Sequence, residues 1–349
     1  MTDQSNATTA PDTTVDWNGQ QFELVRAVFD SSSAGSTDSL LLERVRAEFP
    51  GRGDDLYAGV GVLRDLLRIE QRPERFRRVL RVWTSRIASA IRRGDFHAAG
   101  TWMRAVTESP VFPSEFAIHV VEAVRELSRE ELLEELVAKL AKAGDPPAAA
   151  PLLMAWGEPL VEYLVGEMAT DSPPVNRRHL VEYLGMAGRA DVRLLTPYLR
   201  DPRWFIVRNL ATAIGRTGRE TALPALEGVL EHPDDRVRVE VIRALTVLGG
   251  EDGIAAALKA LGDESPRVRQ AAVSLLRASP SDAVVDGVAS ILESGSHSAD
   301  DARRLVDVIA ERRSPAARTA LEQLAAKRSG FGSGRTVRDA AKAVLGRMR

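Results

Sequence analysis

No cysteine occurs anywhere in the 349 residues, which removes disulfide staples, thiolate nucleophiles and thiolate metal sites together. Aromatics make up only 5% of the chain, too few for the aromatic-rich strands of a β-sandwich. No apolar run reaches the roughly 20 residues that a membrane-spanning helix needs. Residues 1–16 are polar and lack the basic-then-apolar layout of a secretion signal, so they are expected to form a disordered tail on a cytoplasmic protein. Lysine is also scarce, with five among 47 basic residues. The five histidines (97, 119, 179, 232, 297) are scattered, and none stands in a His-x-x-x-His pair or a His-Glu dipeptide. No metal site and no cofactor is therefore expected.

What the chain does have is a beat. Met168, Leu199, Leu230, Leu261 and Leu292 stand 31 residues apart. Ile206, Val237 and Val268 keep the same step, and Gly188, Gly218 and Gly249 follow at 30 and then 31. A period of this size marks an array of two-helix units, in which each hairpin buries its apolar face only by stacking on its neighbours.

The sequence divides accordingly into a tail (1–16), an irregular helical region of degenerate repeats (17–157) and a repeat array (158–349). In the middle region helices are expected at 22–29, 40–49, 56–69, 73–93, 95–103, 115–127, 129–143 and 148–156. The helix opened by Pro73 sets Phe76, Val79, Leu80, Trp83, Ile87, Ala90 and Ile91 on one stripe. It also carries eight Arg against one acid over 72–93. That charge fits a membrane-surface or nucleic-acid helix, or an internal partner in the acidic stretch 122–135.

From residue 158 each unit reads as helix A, a tight turn and helix B. Asp201-Pro202 and Ser265-Pro266 each put a capping acceptor before a proline at the first helical position. In His232-Pro233 the cap is expected to move to Asp234. Gly188, Gly218 and Gly249 are expected to supply left-handed stops after helix B.

Arg236-Val237-Arg238, with Ile242, Ala244, Leu245 and Gly249, resembles the second helix of HEAT repeats. Arg267-Val268-Arg269-Gln270-Ala271-Ala272 and the run Asp201–Asn209 do so as well. The short form is similar to the phycobilin-lyase-like HEAT proteins. The resemblance implies an all-α, right-handed α-solenoid of HEAT-type helical hairpins, with B helices lining a concave groove. It covers about 160–349. HEAT-like deoxyhypusine hydroxylases hold iron through His-Glu pairs, and none is present here.

Four sets of residues stand out as candidates. Arg208, Arg238 and Arg269 recur near the starts of successive B helices, with Arg303 and Arg338 as later members. They either grip phosphates and carboxylates of a ligand or tie each repeat to the next. Trp204, between Arg203 and Phe205, either anchors a partner or staples a helix start to the adjacent repeat. Gly330, Gly332 and Gly334 form a glycine-rich linker with no preceding strand to make it a phosphate loop. Asp234-Asp235 and Asp300-Asp301 sit where helix dipoles favour acids.

The reading reached is a non-catalytic scaffold that docks a protein partner through Trp204, Arg208, Arg238 and Arg269. Two alternatives stay open. One is a nucleic-acid binder related to HEAT-like DNA glycosylases, using the Arg ladder and the basic segment 303–349. The other is a bilin lyase or chaperone.

Overall fold

The computed structural model describes residues 55–107, 112–144, 146–170, 175–295, 299–327 and 333–348. Among these residues every regular element is a helix, and no strand occurs. The tail at 1–16, the expected helices at 22–29 and 40–49, and most of the glycine-rich stretch lie outside the described residues; Gly334 falls in the first turn of a helix. The chain forms two compact units, one running to Ala155 and one starting at Trp156.

The first unit contains α1 (Asp55–Ile69), α2 (Pro73–Arg93), α3 (Phe96–Thr107), α4 (Ala117–Leu127), α5 (Glu130–Ala143) and α6 (Ala150–Ala155). Pro73 opens α2 at a position where a helix has no use for an N–H. Gly94, with φ of 75°, closes it. The buried residues of α2 are the seven of the predicted stripe. They pack against α1, α3, α4 and α5, which makes α2 the centre of this unit and leaves its apolar face no membrane or ligand to meet. Trp83, fully buried, donates its indole N–H to the Trp102 carbonyl at 2.6 Å. Phe76 packs on Phe116 with ring centroids 4.7 Å apart and the rings tilted by 37°. The acidic stretch meets α2 at its rim: Arg92 lies 4.0 Å from Glu135, and Arg77 donates to His119, which faces Glu122.

The second unit contains α7 (Gly157–Ala169), α8 (Arg177–Ala190), α9 (Trp204–Gly215), α10 (Leu223–Glu227), α11 (Asp235–Leu248), α12 (Gly250–Ala260), α13 (Pro266–Ala278), α14 (Ala283–Ser294), α15 (Ala299–Glu311), α16 (Pro315–Ala326) and α17 (Ser333–Arg347). Helices α8, α9, α11, α13, α15 and α17 are the B helices, and each packs on the next. This is the stacking that the 31-residue step requires. Ile206, Val237 and Val268 are fully buried between them. Met168, Leu199, Leu261 and Leu292 are buried too, while Leu230 is only half-buried at the edge of the same core.

Three local expectations are corrected. Helix A is not always a helix: residues 192–200 form 3₁₀ turns, and α10 is little more than one turn. Pro197 and Pro224 each remove a backbone donor there.

The glycines divide their work differently from the expected left-handed stops. Gly218 has the expected positive φ of 69°, but the left-handed residue after α11 is Gly250, at 47°, rather than Gly249. Gly188 lies inside α8, where an added Cβ would sit 2.7 Å from Leu195 and 2.9 Å from Thr217. It is there for close approach, and not to stop a helix.

Pro202 is not a first helical residue either, because α9 starts at Trp204. Asp201 instead closes a turn by accepting the Arg203 N–H at 2.8 Å. The cap at Asp234 does form, accepting from Arg236 N at 2.9 Å.

Candidate functional site

The starts of the B helices carry most of the charged geometry of the second unit. Arg238 is only 6% exposed. Its guanidinium donates to both carboxylate oxygens of Asp263, at 2.9 and 2.8 Å, and to the carbonyls of His232 and Pro233 at 2.8 and 3.2 Å. Arg269 repeats the pattern one unit on, donating to the carbonyls of Asp263 and Glu264 at 2.9 and 3.0 Å and to Asp301 at 3.0 Å. The result is a relay: the Asp263 side chain takes the fork of one arginine and its backbone takes the next. Asp301, expected to serve only the helix dipole, is buried as the end of this relay.

Burial opposes the charge on Asp263, but the Arg238 fork and the Ser265 N–H outweigh it and lower its pKa. Paired charges largely out of water hold only when their donors and acceptors are met, and the two carbonyls beside the Arg238 guanidinium help to satisfy that condition.

Arg208 does not belong to this relay. It is exposed, and among the described residues no carboxylate pairs with it. The reason lies in the register. Arg238 and Arg269 directly follow the buried Val237 and Val268, whereas Arg208 stands two after Ile206. One residue turns a side chain by about 100° around the helix. The aligned position is held by Val207, which is fully buried. Of the later members, Arg303 is exposed, and half-buried Arg338 lies 3.3 Å from Asp339.

Trp204 is half-buried, with the Arg236 guanidinium of the following repeat over its ring at 3.3 Å from the centroid. Phe205 meets Trp204 edge-on and takes Arg177 over its own face at 5.9 Å. A staggered row of guanidinium and aromatic groups thus runs across the starts of α8, α9 and α11.

A further device recurs that motif reading missed. In Asp191-x-Arg193, Asp201-x-Arg203 and Asp234-x-Arg236 the aspartate accepts the N–H two residues on, and also the guanidinium of that residue. Arg236 holds the Asp234 carboxyl down to about 2. In the next turn Ser265 replaces that arginine. Asp263 is then free for Arg238, and the Ser265 hydroxyl donates to Asp235 at 2.8 Å. These groups surround an open depression of about 680 Å³ lined by Asp235, Arg236, Arg238, Glu264 and Arg267.

Two exposed rows were also missed. Counting six past Ile206, Val237 and Val268 gives half-buried Thr212 and exposed Arg243 and Ser274; counting ten gives exposed Arg216, Val247 and Ala278. Extending the 31-residue step to these positions would have found them. Among the described residues no group of acids and histidines could hold a metal, and no helix is long and apolar enough to cross a membrane.

An all-helical array with this step and these turns defines an α-solenoid of helical hairpins. Residues 158–238 and 228–305 match the HEAT repeats family, and this part of the chain is a HEAT-repeat array. No curated protein matches the chain. Among solved structures, the chain is similar to one from the Pds5–Scc1 complex at 10% identity, covering 98% of this chain and 65% of that one with a TM-score of 0.39. Human deoxyhypusine hydroxylase is similar at 17% identity, over 74% and 97% of the two chains, with a TM-score of 0.30. The complex of CpcE and CpcF of phycocyanin lyase from Nostoc sp. PCC7120 gives 13% identity, 98% and 100% coverage and a TM-score of 0.28. Likenesses this distant carry no functional inference.

Proposed function

We propose that this chain is a cytoplasmic, non-catalytic scaffold that binds a protein partner along the surface of its B helices, lining a concave groove. The observation that supports this best is the register itself. Each 31-residue step that buries Ile206, Val237 and Val268 repeats an outward row behind them, through Arg243 and Ser274 and through Arg216, Val247 and Ala278. Mixed charged, polar and apolar side chains in such rows suit a protein surface better than a polyphosphate, which calls for uncommitted cations.

Of the ladder, Arg208 and the edge of Trp204 would touch the partner. Arg238 and Arg269, with their donors committed to Asp263 and Asp301, would hold the register from behind. Their commitment also weighs against the nucleic-acid alternative.

Photo-crosslinking residues placed at 208, 243 and 247, and at exposed Ala255 on α12 as a control, test the proposal in the native host. Crosslinks to one protein species from the first three positions and none from 255 are expected. Crosslinks from 255 alone, or duplex DNA binding that weakens steeply with salt and is lost on Arg243→Ala, would overturn it.

A further inference from the structure

In the first unit α4 buries Val120, Ala123 and Leu127 and turns its opposite face to solvent. The centre of that face is apolar. Ile118 is 57% exposed and Val121 is 55% exposed, one helical turn apart. Glu122 and Glu126 run along one flank and Glu115 lies just before the helix, while Arg125 stands on the same face as the apolar pair, one turn beyond Val121 and two beyond Ile118. Branched apolar side chains at the middle of an exposed helical face, edged by charge, mark a docking surface.

The outward face of α17 is its complement. That helix buries Val337, Ala341 and Val344 against α15 and α16. Its exposed side carries Ala343 and Gly346 beside Asp339, with Arg335 and Lys342 on one flank and Arg347 on the other. Asp339 is engaged by Arg335 at 3.6 Å and Arg338 at 3.3 Å. Among the described residues no carboxylate pairs with Lys342 or Arg347. Small residues between cations leave a shallow groove that branched side chains can enter ridge-into-groove.

We propose that a second copy of this chain docks head to tail, with its α17 seated on the α4 face of the first. Ile118 and Val121 enter the hollow over Ala343 and Gly346, and Glu122 and Glu126 meet Arg335 and Lys342. A symmetric pairing of α4 on α4 would bring glutamates against glutamates, and α17 on α17 would oppose cations. Charge therefore selects the heterologous contact, which leaves one free face of each kind on every pair.

Sedimentation velocity on the full chain over a wide concentration range, at about 50 mM and about 500 mM salt, tests this. The weight-average mass should rise with concentration at low salt and fall back at high salt. Two variants, Glu122→Lys with Glu126→Lys and Arg335→Glu with Lys342→Glu, should each stay monomeric with unchanged helical circular dichroism. Mixing the two should restore association.

Because the chain has no cysteine, Ile118→Cys and Ala343→Cys report the contact directly, and mild oxidation of the mixture should give the 118–343 disulfide as the main product. A monomer under all conditions, association indifferent to the charge reversals, or a predominant 118–118 disulfide would overturn the proposal.

Discussion

Two stretches of the second unit are built on one template and held by different forces. Between α11 and α15 the repeats are tied by the Arg238–Asp263–Arg269–Asp301 relay, in which one buried and one half-buried guanidinium satisfy carboxylates and carbonyls together. Between α8 and α11 the position of the relay arginine is Val207, fully buried. There the repeats are tied at the surface by Arg177 over Phe205 and Arg236 over Trp204. The difference comes from single residues. Ser265 in place of an arginine releases Asp263 to accept from the preceding repeat, whereas Asp201 and Asp234 are spent on their own turns. A repeat can thus exchange ionic stitching for aromatic stacking without altering its period.

The sharpest way to break this contrast is Arg238→Ala. It leaves the half-buried Asp263 carboxylate and two carbonyls without their donor and should cost about 2–3 kcal/mol, read from urea unfolding. A loss under about 1 kcal/mol would show the relay to be ornamental.

Acid should weaken the relay next. The Asp234 carboxyl is held down to about 2 and that of Asp263 below its ordinary range, so their contribution is present above the ordinary carboxylate value of about 4 and is lost as pH falls through the folded-state values. Thermal melts should decline over that interval. The decline should be shallower in the apolar pair variant Arg238→Met with Asp263→Leu, and an equally steep profile would place the acid sensitivity elsewhere.

Trp204→Ala, at a half-buried position, should cost about 1–3 kcal/mol through lost packing, with hydrogen exchange quickening at the start of α9 rather than in α13. The smallest effect belongs to Arg208→Ala. It should leave stability within about 0.5 kcal/mol, while weakening crosslinking at 243 and 247 if the B surface is the docking face.

The architecture was legible in the sequence because burial recurs with the period of the repeat. The stripe on α2 and the Ile206–Val237–Val268 row both follow from spacing. The ladder was less legible because arginines were aligned with one another instead of with the buried row, which hid the one-residue offset of Arg208. The 3₁₀ turns at 192–200 reflect how Pro197 competes with tertiary packing, and spacing carries no trace of that. Gly188 shows a second limit: a glycine near a helix end reads as a stop, yet here its missing Cβ is needed by Leu195 and Thr217.

The relay also bears on how the array comes apart. Asp263 serves one neighbour through its carboxylate and the other through its carbonyl, so melting any one of these hairpins leaves an uncompensated charge in the next. In a one-dimensional chain of modules this adds to the nearest-neighbour coupling. The segment from α11 to α15 should therefore unfold as a single cooperative block, and a truncation that ends at α13 should fray back through α11.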